Sequence, residues 1–384
     1  MLLKNYIDPD VLSKYVEEGL VDFKTHPTLP LRLYCYSRCC TLGQLWDEVT
    51  TKTRGLITDH NGSIIARPFE KFFNINTIWR PETCLSNLPR TLPFIAEKLD
   101  GSLGVLYTWE GKSAIATKGS FISDQAIWAT AWYDRFVGAD EKLSDGSYKW
   151  PQGFTPVFEI IAESVQHHVV HYDGREELVL IALINNVTGE EIANWDLAFW
   201  ATRNGIRSAK HYIKTLGDVL NEDRKNAEGY VLSWPLPGQP PLKVKIKHES
   251  FLVLQKVVHA ATPKAILEAL VFGNVDLLNT WIGQTNNQLG QWVQEWVAKF
   301  NLKYGTILLK SKLAANMATS KAENRKEFAE IIHAESLKSK DVTPGVCFVM
   351  FDGKDHKRLI WKAVEKAFTS ELSKPFALIE EDTP

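Results

Sequence analysis

The first two-thirds of the chain is built from short apolar runs with alternating polar positions. LRLYCYS (31–37), FIAEKLDGSLGVLYTWEGKSAIATKGS (94–120), VFEIIAE (157–163), ELVLIALIN (177–185) and AEGYVLSW (227–234) read as strands. Gly-containing pairs punctuate them. HNGS (60–63) and WEGK (109–112) predict hairpin turns, and PLPGQPP (235–241) predicts a turn into LKVKIKH. Residues 8–25 predict an amphipathic helix after an Asp-Pro start, and 123–138 a second helix. Beyond about residue 252 the period changes. TPKAILEALVFG, residues 280–300, 321–337 and 356–368 carry apolar residues at i, i+3, i+4 spacing. The pattern predicts an α+β protein of two domains, 1–251 rich in strands and 252–384 all helical.

Composition narrows the picture. The 384 residues are 45% hydrophobic and 23% charged, ordinary for a globular protein, and the net charge of −2 excludes a polycation. Nucleic-acid binding would therefore need a local basic patch. The five cysteines (35, 39, 40, 84 and 347) are odd in number and sparse, which argues for buried or half-buried thiols in a reducing compartment. Cys35-x3-Cys39-Cys40 has no second Cys/His pair at zinc spacing. No signal peptide and no 18-residue apolar run are evident, so the expected location is cytoplasmic, away from any membrane.

Lysines and carboxylates recur through the strand-rich half in order: Arg54-Gly55, Lys71-Phe72-Phe73, Lys98-Leu99-Asp100-Gly101, Lys118-Gly119-Ser120, Phe158-Glu159, Glu228-Gly229 and Lys245-Ile246-Lys247. Taken singly, Lys98 reads as an exposed hairpin lysine, and Lys245 and Lys247 as a solvated strand edge. Glu159, flanked by apolar residues, needs a partner if buried. Taken together, the set suits nucleotidyl transfer to an amine. One lysine attacks the α-phosphate of a nucleotide and expels pyrophosphate. Nearby cations and desolvation are expected to depress that lysine's pKa. Lys245 and Lys247, on one strand face, would stabilise charge on the phosphate. Glu228, and Glu159, would hold a divalent ion or a sugar hydroxyl. Gly101 would let the backbone approach the nucleotide.

In this order the motifs resemble those of the covalent nucleotidyltransferases: DNA ligases, RNA ligases and mRNA capping enzymes. Arg54-Gly55, ARPFEKFFNIN (66–76) and Lys118-Gly119-Ser120 make the chain most similar to the phage-type RNA ligase 1 family. DNA ligases and capping enzymes usually carry Arg two residues after the glycine of KxDG; here Ser102-Leu103 follow Gly101. The resemblance implies an adenylylation domain of nucleotidyltransferase fold, with ATP-grasp-like antiparallel sheets, and a helical domain that selects the RNA. It implies Lys98 as the nucleophile that becomes AMP-linked, with Arg54, Lys71 and Lys118 on the nucleotide or its phosphates. It further implies Phe73 stacked near adenine, Glu159 on the ribose, Glu228 supporting a metal, and Lys245 and Lys247 on the α-phosphate. Phe251 stands where this family is expected to carry tyrosine.

The resulting expectation is a monomeric, ATP-dependent RNA ligase using Mg²⁺ or Mn²⁺. It would join 5′-phosphate and 3′-hydroxyl ends in RNA repair, cleaved tRNA included. The rival readings are an RNA-binding module that retains a silent nucleotide pocket, and a DNA ligase or capping-type enzyme.

Overall fold

The computed structural model describes residues 1–166, 168–283, 287–373 and 376. Two compact units divide the chain, one spanning Met1–Val253 and the other beginning at Leu254.

Fourteen described strands lie in the first unit and form three sheets. β1 (Val21–Thr25), β2 (Leu31–Tyr36), β3 (Arg54–Asp59) and β4 (Ile64–Ala66) make an antiparallel sheet in sequence order. The remaining strands are β5 (Phe73–Asn74), β6 (Phe94–Lys98), β7 (Ser102–Trp109), β8 (Lys112–Thr117), β9 (Phe154–Ile161), β10 (Glu177–Asn185), β11 (Arg207–Ser208), β12 (His211–Tyr212), β13 (Gly229–Leu236) and β14 (Gln239–Lys247). They form a second sheet of order β11-β10-β9-β7-β8 and a third of order β12-β6-β13-β14-β5. Within these two sheets only the β10–β11 and β14–β5 pairs run parallel.

The turns carry the chemistry they need. Glu110 (φ 49°) and Gly111 (φ 79°) both take positive φ between β7 and β8, as a two-residue hairpin turn with the right twist requires. Gly238 (φ 71°) serves the tip between β13 and β14. Residues 8–25 are not one helix. Asp8 caps Pro9–Glu17, Gly19 enters the left-handed region at φ 72°, and Val21–Thr25 becomes β1. The helix expected over 123–138 spans Asp124–Phe136, with the Ser123 hydroxyl accepting from the Ala126 N–H.

The first and second sheets share a core of Leu33, Ile57, Leu103, Val105 and Val157. The second sheet's other side packs on the helices Asp124–Phe136 and Asn194–Arg203 through Tyr133, Phe158, Leu180 and Leu197. The third sheet buries Ile95, Tyr230, Leu232, Val244 and Ile246 on one face. Period-2 alternation turns residues 94, 96 and 98 of β6, 231 and 233 of β13, and 243, 245 and 247 of β14 to the opposite face.

The second unit is helical where described: Pro263–Phe272, Val275–Gly283, Asn287–Lys321, Arg325–Lys338, Pro344–Phe351 and Lys357–Ala367. Residues 284–286 of the expected 280–300 helix lie outside the described residues. Helix Glu249–Ala260 runs across the division between the units. The five cysteines are free, and Cys39 is exposed rather than half-buried. No helix among the described residues is long and apolar enough to cross a membrane.

Candidate active site

Lys98 ends β6 in the third sheet, and Ser102 begins β7 in the second. The Leu99–Gly101 link therefore crosses between sheets and is not the hairpin turn that Asp-Gly-Ser suggests. A Cβ on Gly101 would lie 2.5 Å from the Ile160 carbonyl oxygen and 2.8 Å from Glu159 Cγ. This glycine thus permits a close approach to β9, which sets Glu159 against the link.

Three motifs meet because of sheet register. Gly229, opening β13, stands opposite Lys98 on one side and Lys247 on the other. Its φ of 152° is open to glycine, and a Cβ there would fall 1.9 Å from the Ile246 carbonyl oxygen. The preceding residue, Glu228, is 4% exposed and lies between the two lysines. Lys98 Nζ is 2.7 Å from its Oε2, and Lys247 Nζ is 3.1 Å from its Oε1. β14 is an interior strand, so Lys245 and Lys247 do not line a solvated edge.

This geometry reverses the expectation for Lys98. Burial pulls its pKa down, but Glu228, then Glu159 and Asp100, more than offset that and hold the ammonium above its ordinary value. Glu228 is pushed up by burial and down by Lys98 and Lys247, and ends below the usual carboxylate range. Depressed amines occur one step away. Lys245, 4% exposed, is driven well below the lysine range by burial and by Lys71, Lys98 and Lys247. Lys71, 9% exposed, falls to about 6 through burial and the charges of Arg54 and Lys118. Its Nζ lies 5.1–5.7 Å from the ring centroids of Trp46, Tyr36 and Phe73.

Gly55 (φ 86°) brings β3 against the Lys118 turn, where a Cβ would meet Lys118 Cα at 3.2 Å. Arg54 lies over the Phe69 ring at 5.0 Å and has a buried Nη1 with no hydrogen-bond partner among the described residues. Arg54, Lys98, Gly101, Lys118 and Glu159 line one end of a cavity of about 440 Å³ between the second and third sheets. Phe73 does not line it. That ring sits 5.7 Å from Trp46 and 4.9 Å from Trp79, beside a smaller hollow that Lys71 also lines. The aromatic residues of the main cavity are Phe69, Phe72 and Phe94. The run RPFEKFF contains the first two, but its alternation leaves open which phenylalanine faces the site.

Asp100 anchors the link. Its carboxylate accepts from the Val169 and Val170 N–H groups at 2.6 and 2.8 Å, and its own N–H donates to the Tyr172 hydroxyl at 2.8 Å. Burial, then Glu228, raises its pKa to about 7. Sequence reasoning missed Val169–Tyr172, which carries no motif signal. Phe251 packs with Leu99, Val170 and Tyr172 in an apolar cluster, its ring centroid 5.2 Å from Lys247 Nζ.

Among the described residues no group of three or more His, Cys, Asp or Glu side chains is arranged to hold a metal. The donor set fits an ion that draws most of its ligands from phosphate and water and one or two from carboxylates, as Mg²⁺ does.

An RNA ligase family profile matches residues 52–251. A Thermovibrio ammonificans protein named "Putative RNA ligase" is 29% identical over 201 residues, 50% of this chain and 50% of that protein. The match thus spans about half the length of that relative. Among solved structures, an archaeal ATP-dependent RNA ligase is 12% identical over 85% of each chain with a TM-score of 0.47. A Naegleria gruberi RNA ligase with PPi is 16% identical over 43% of this chain and 51% of that one, with a TM-score of 0.32.

Proposed function

The chain belongs to the RNA ligase family, and from that premise we propose that it is an ATP-dependent ligase acting through a lysyl-AMP intermediate at Lys98. The observation that carries this reading is the convergence of Lys98, Glu228 and Lys247 at one row of strand pairs, with Lys98 lining a cavity that Arg54 and Lys118 also line.

Lys98 Nζ attacks the α-phosphorus of ATP. The N–P bond forms, the bond from α-phosphorus to the bridging oxygen breaks, and pyrophosphate leaves. The amine must first shed a proton to water, which it does once its 2.7 Å pair with Glu228 Oε2 is displaced. Lys98 is thus stored as an ammonium–carboxylate pair and is primed by displacement of that pair. Lys245 and Lys247 offset charge on the α-phosphate, and Arg54, Lys71 and Lys118 bind the remaining phosphates. Glu159, held by the Gly101 contact, takes a ribose hydroxyl. A divalent ion, Mg²⁺ or Mn²⁺, when bound neutralises phosphate charge, and Glu228 is the residue to hold it. The AMP then passes to a 5′-phosphate RNA end, and a 3′-hydroxyl displaces AMP to seal the strand. Repair of cleaved RNA, tRNA included, is the proposed role, with the helical region from residue 252 selecting the RNA.

The test uses α-labelled ATP with wild type and Lys98→Ala, reading label on denatured protein and its discharge by 5′-phosphorylated RNA. Label on wild type alone, released by RNA, supports the reading. Persistent label on Lys98→Ala overturns the nucleophile assignment.

A further inference from the structure

The main cavity changes character along its length. Its cationic end holds Arg54, Lys98 and Lys118. Four residues back along β6, about 13 Å away, Phe94 lines the other end with Val231, Ile192 and Ala209. A nucleotide has the same polarity, with phosphates at one end and a flat base at the other. Phosphates at the cations place the base on the Ala96/Val231 floor, where β6 and β13 pair.

Two half-buried polar side chains face this apolar end. His211 on β12 pairs with Ala96, and Ser233 on β13 stands opposite Phe94 and Lys243. Their polar neighbours are committed elsewhere. The Glu97 carboxylate accepts from Arg207 at 3.0 Å and from the Lys210 N–H at 2.9 Å. Lys243 donates to Glu191 at 2.5 Å, and Glu190 accepts from the Gly238 N–H at 2.6 Å. Among the described residues, His211 and Ser233 make no side-chain hydrogen bond. Polar groups that line an apolar cavity from either side of β6 and make no bond within the described protein are those a ligand is positioned to satisfy.

We propose that His211 and Ser233 read the edge of the nucleobase and set the choice of nucleotide at this site; this rests on the reading of Lys98 as the adenylylated lysine. Burial holds the His211 pKa below its ordinary value, so the imidazole is neutral near pH 7 and offers one donor and one acceptor. Glu97 and Lys243 are the charged groups acting on it, and they oppose each other. Adenine presents a donor at N6 beside an acceptor at N1, whereas guanine presents an acceptor at O6 beside a donor at N1. A fixed donor–acceptor pair on the protein distinguishes the two orders.

The experiment measures protein labelling against concentration of α-labelled ATP and GTP for wild type, His211→Ala, His211→Gln and Ser233→Ala. His211→Ala is expected to raise the KM for ATP about five- to tenfold, the effect of losing one hydrogen bond. That rise is to exceed any fall in kcat, and the preference for ATP over GTP is to shrink with it. His211→Gln, which keeps a donor and an acceptor, is expected to recover part of the preference. Wild-type KM and preference in both alanine variants overturn the inference while leaving the Lys98 reading intact. No label on wild type overturns the Lys98 reading, and this inference with it.

Discussion

Replacing Lys71 with methionine separates what holds this fold together from what its site needs. The side chain is 9% exposed, and its pKa falls from 10.5 to about 6. Between those values the folded chain binds fewer protons there than the unfolded chain, so stability rises with pH from about 6 to 10.5. Below pH 6 the full penalty applies. The shift, 10.5 − 6, is about 4.5 units, or about 6 kcal/mol at 1.36 kcal/mol per unit. At pH 7 the difference that counts is 10.5 − 7, about 3.5 units or about 5 kcal/mol. Water penetration and the lost contacts with the Trp46, Tyr36 and Phe73 rings reduce the net gain, so about 2 kcal/mol or more is expected at pH 7. Methionine keeps the length and packs against the same rings. For a unit of this size, that raises the melting temperature of its transition by at least about 4 °C. Calorimetry of the full chain from pH 5.5 to 9 is the assay. The difference between variant and wild type is expected to be largest at the acid end and to shrink as pH rises. Lys71→Met is also expected to lose AMP labelling at least about 100-fold if Lys71 binds phosphate as proposed. A variant that melts lower than wild type, or a stability difference independent of pH, refutes the account of Lys71 as a strained, depressed amine.

Two further substitutions probe the strand row at Lys98. Gly229→Ala forces a Cβ to within 1.9 Å of the Ile246 carbonyl oxygen, so β13 and β14 must part; several kcal/mol of stability and all AMP labelling are expected to be lost, and a wild-type melting curve would show that the register is not rigid. Glu228→Gln removes the carboxylate that raises the Lys98 pKa. The acid limb of labelling rate against pH is expected to move to lower pH, with a stability loss of about 3–5 kcal/mol from the two broken ion pairs, and an unmoved limb would mean that Glu228 does not set the charge on Lys98.

Much of this protein is legible in its sequence. Alternation placed the strands, including the Lys245/Lys247 face, because side-chain direction along a strand is a local property with a fixed period. The turns at Glu110-Gly111 and Gly238 followed from residues that tolerate positive φ. The order of the KxDG, EG and KxK motifs along the chain by itself points to nucleotidyl transfer. The structure decided what depends on distance through space. Asp-Gly-Ser reads locally as a hairpin turn, yet it crosses between sheets, because β6 pairs with β12 and β13 while β7 pairs with β8 and β9. The charge state of Lys98 is set by Glu228, 130 residues away in sequence and 2.7 Å away in space, so motif spacing could not show that its ammonium is held rather than released. The depressed amines are Lys71 and Lys245, whose burial among other cations exists only once three sheets have assembled. In the same way the fold chose Phe69 and Phe72 over Phe73 for the cavity, and left the half-buried His211 and Ser233 without side-chain hydrogen bonds among the described residues. Local pattern fixes which way a side chain points from its own strand; only packing fixes what it then meets.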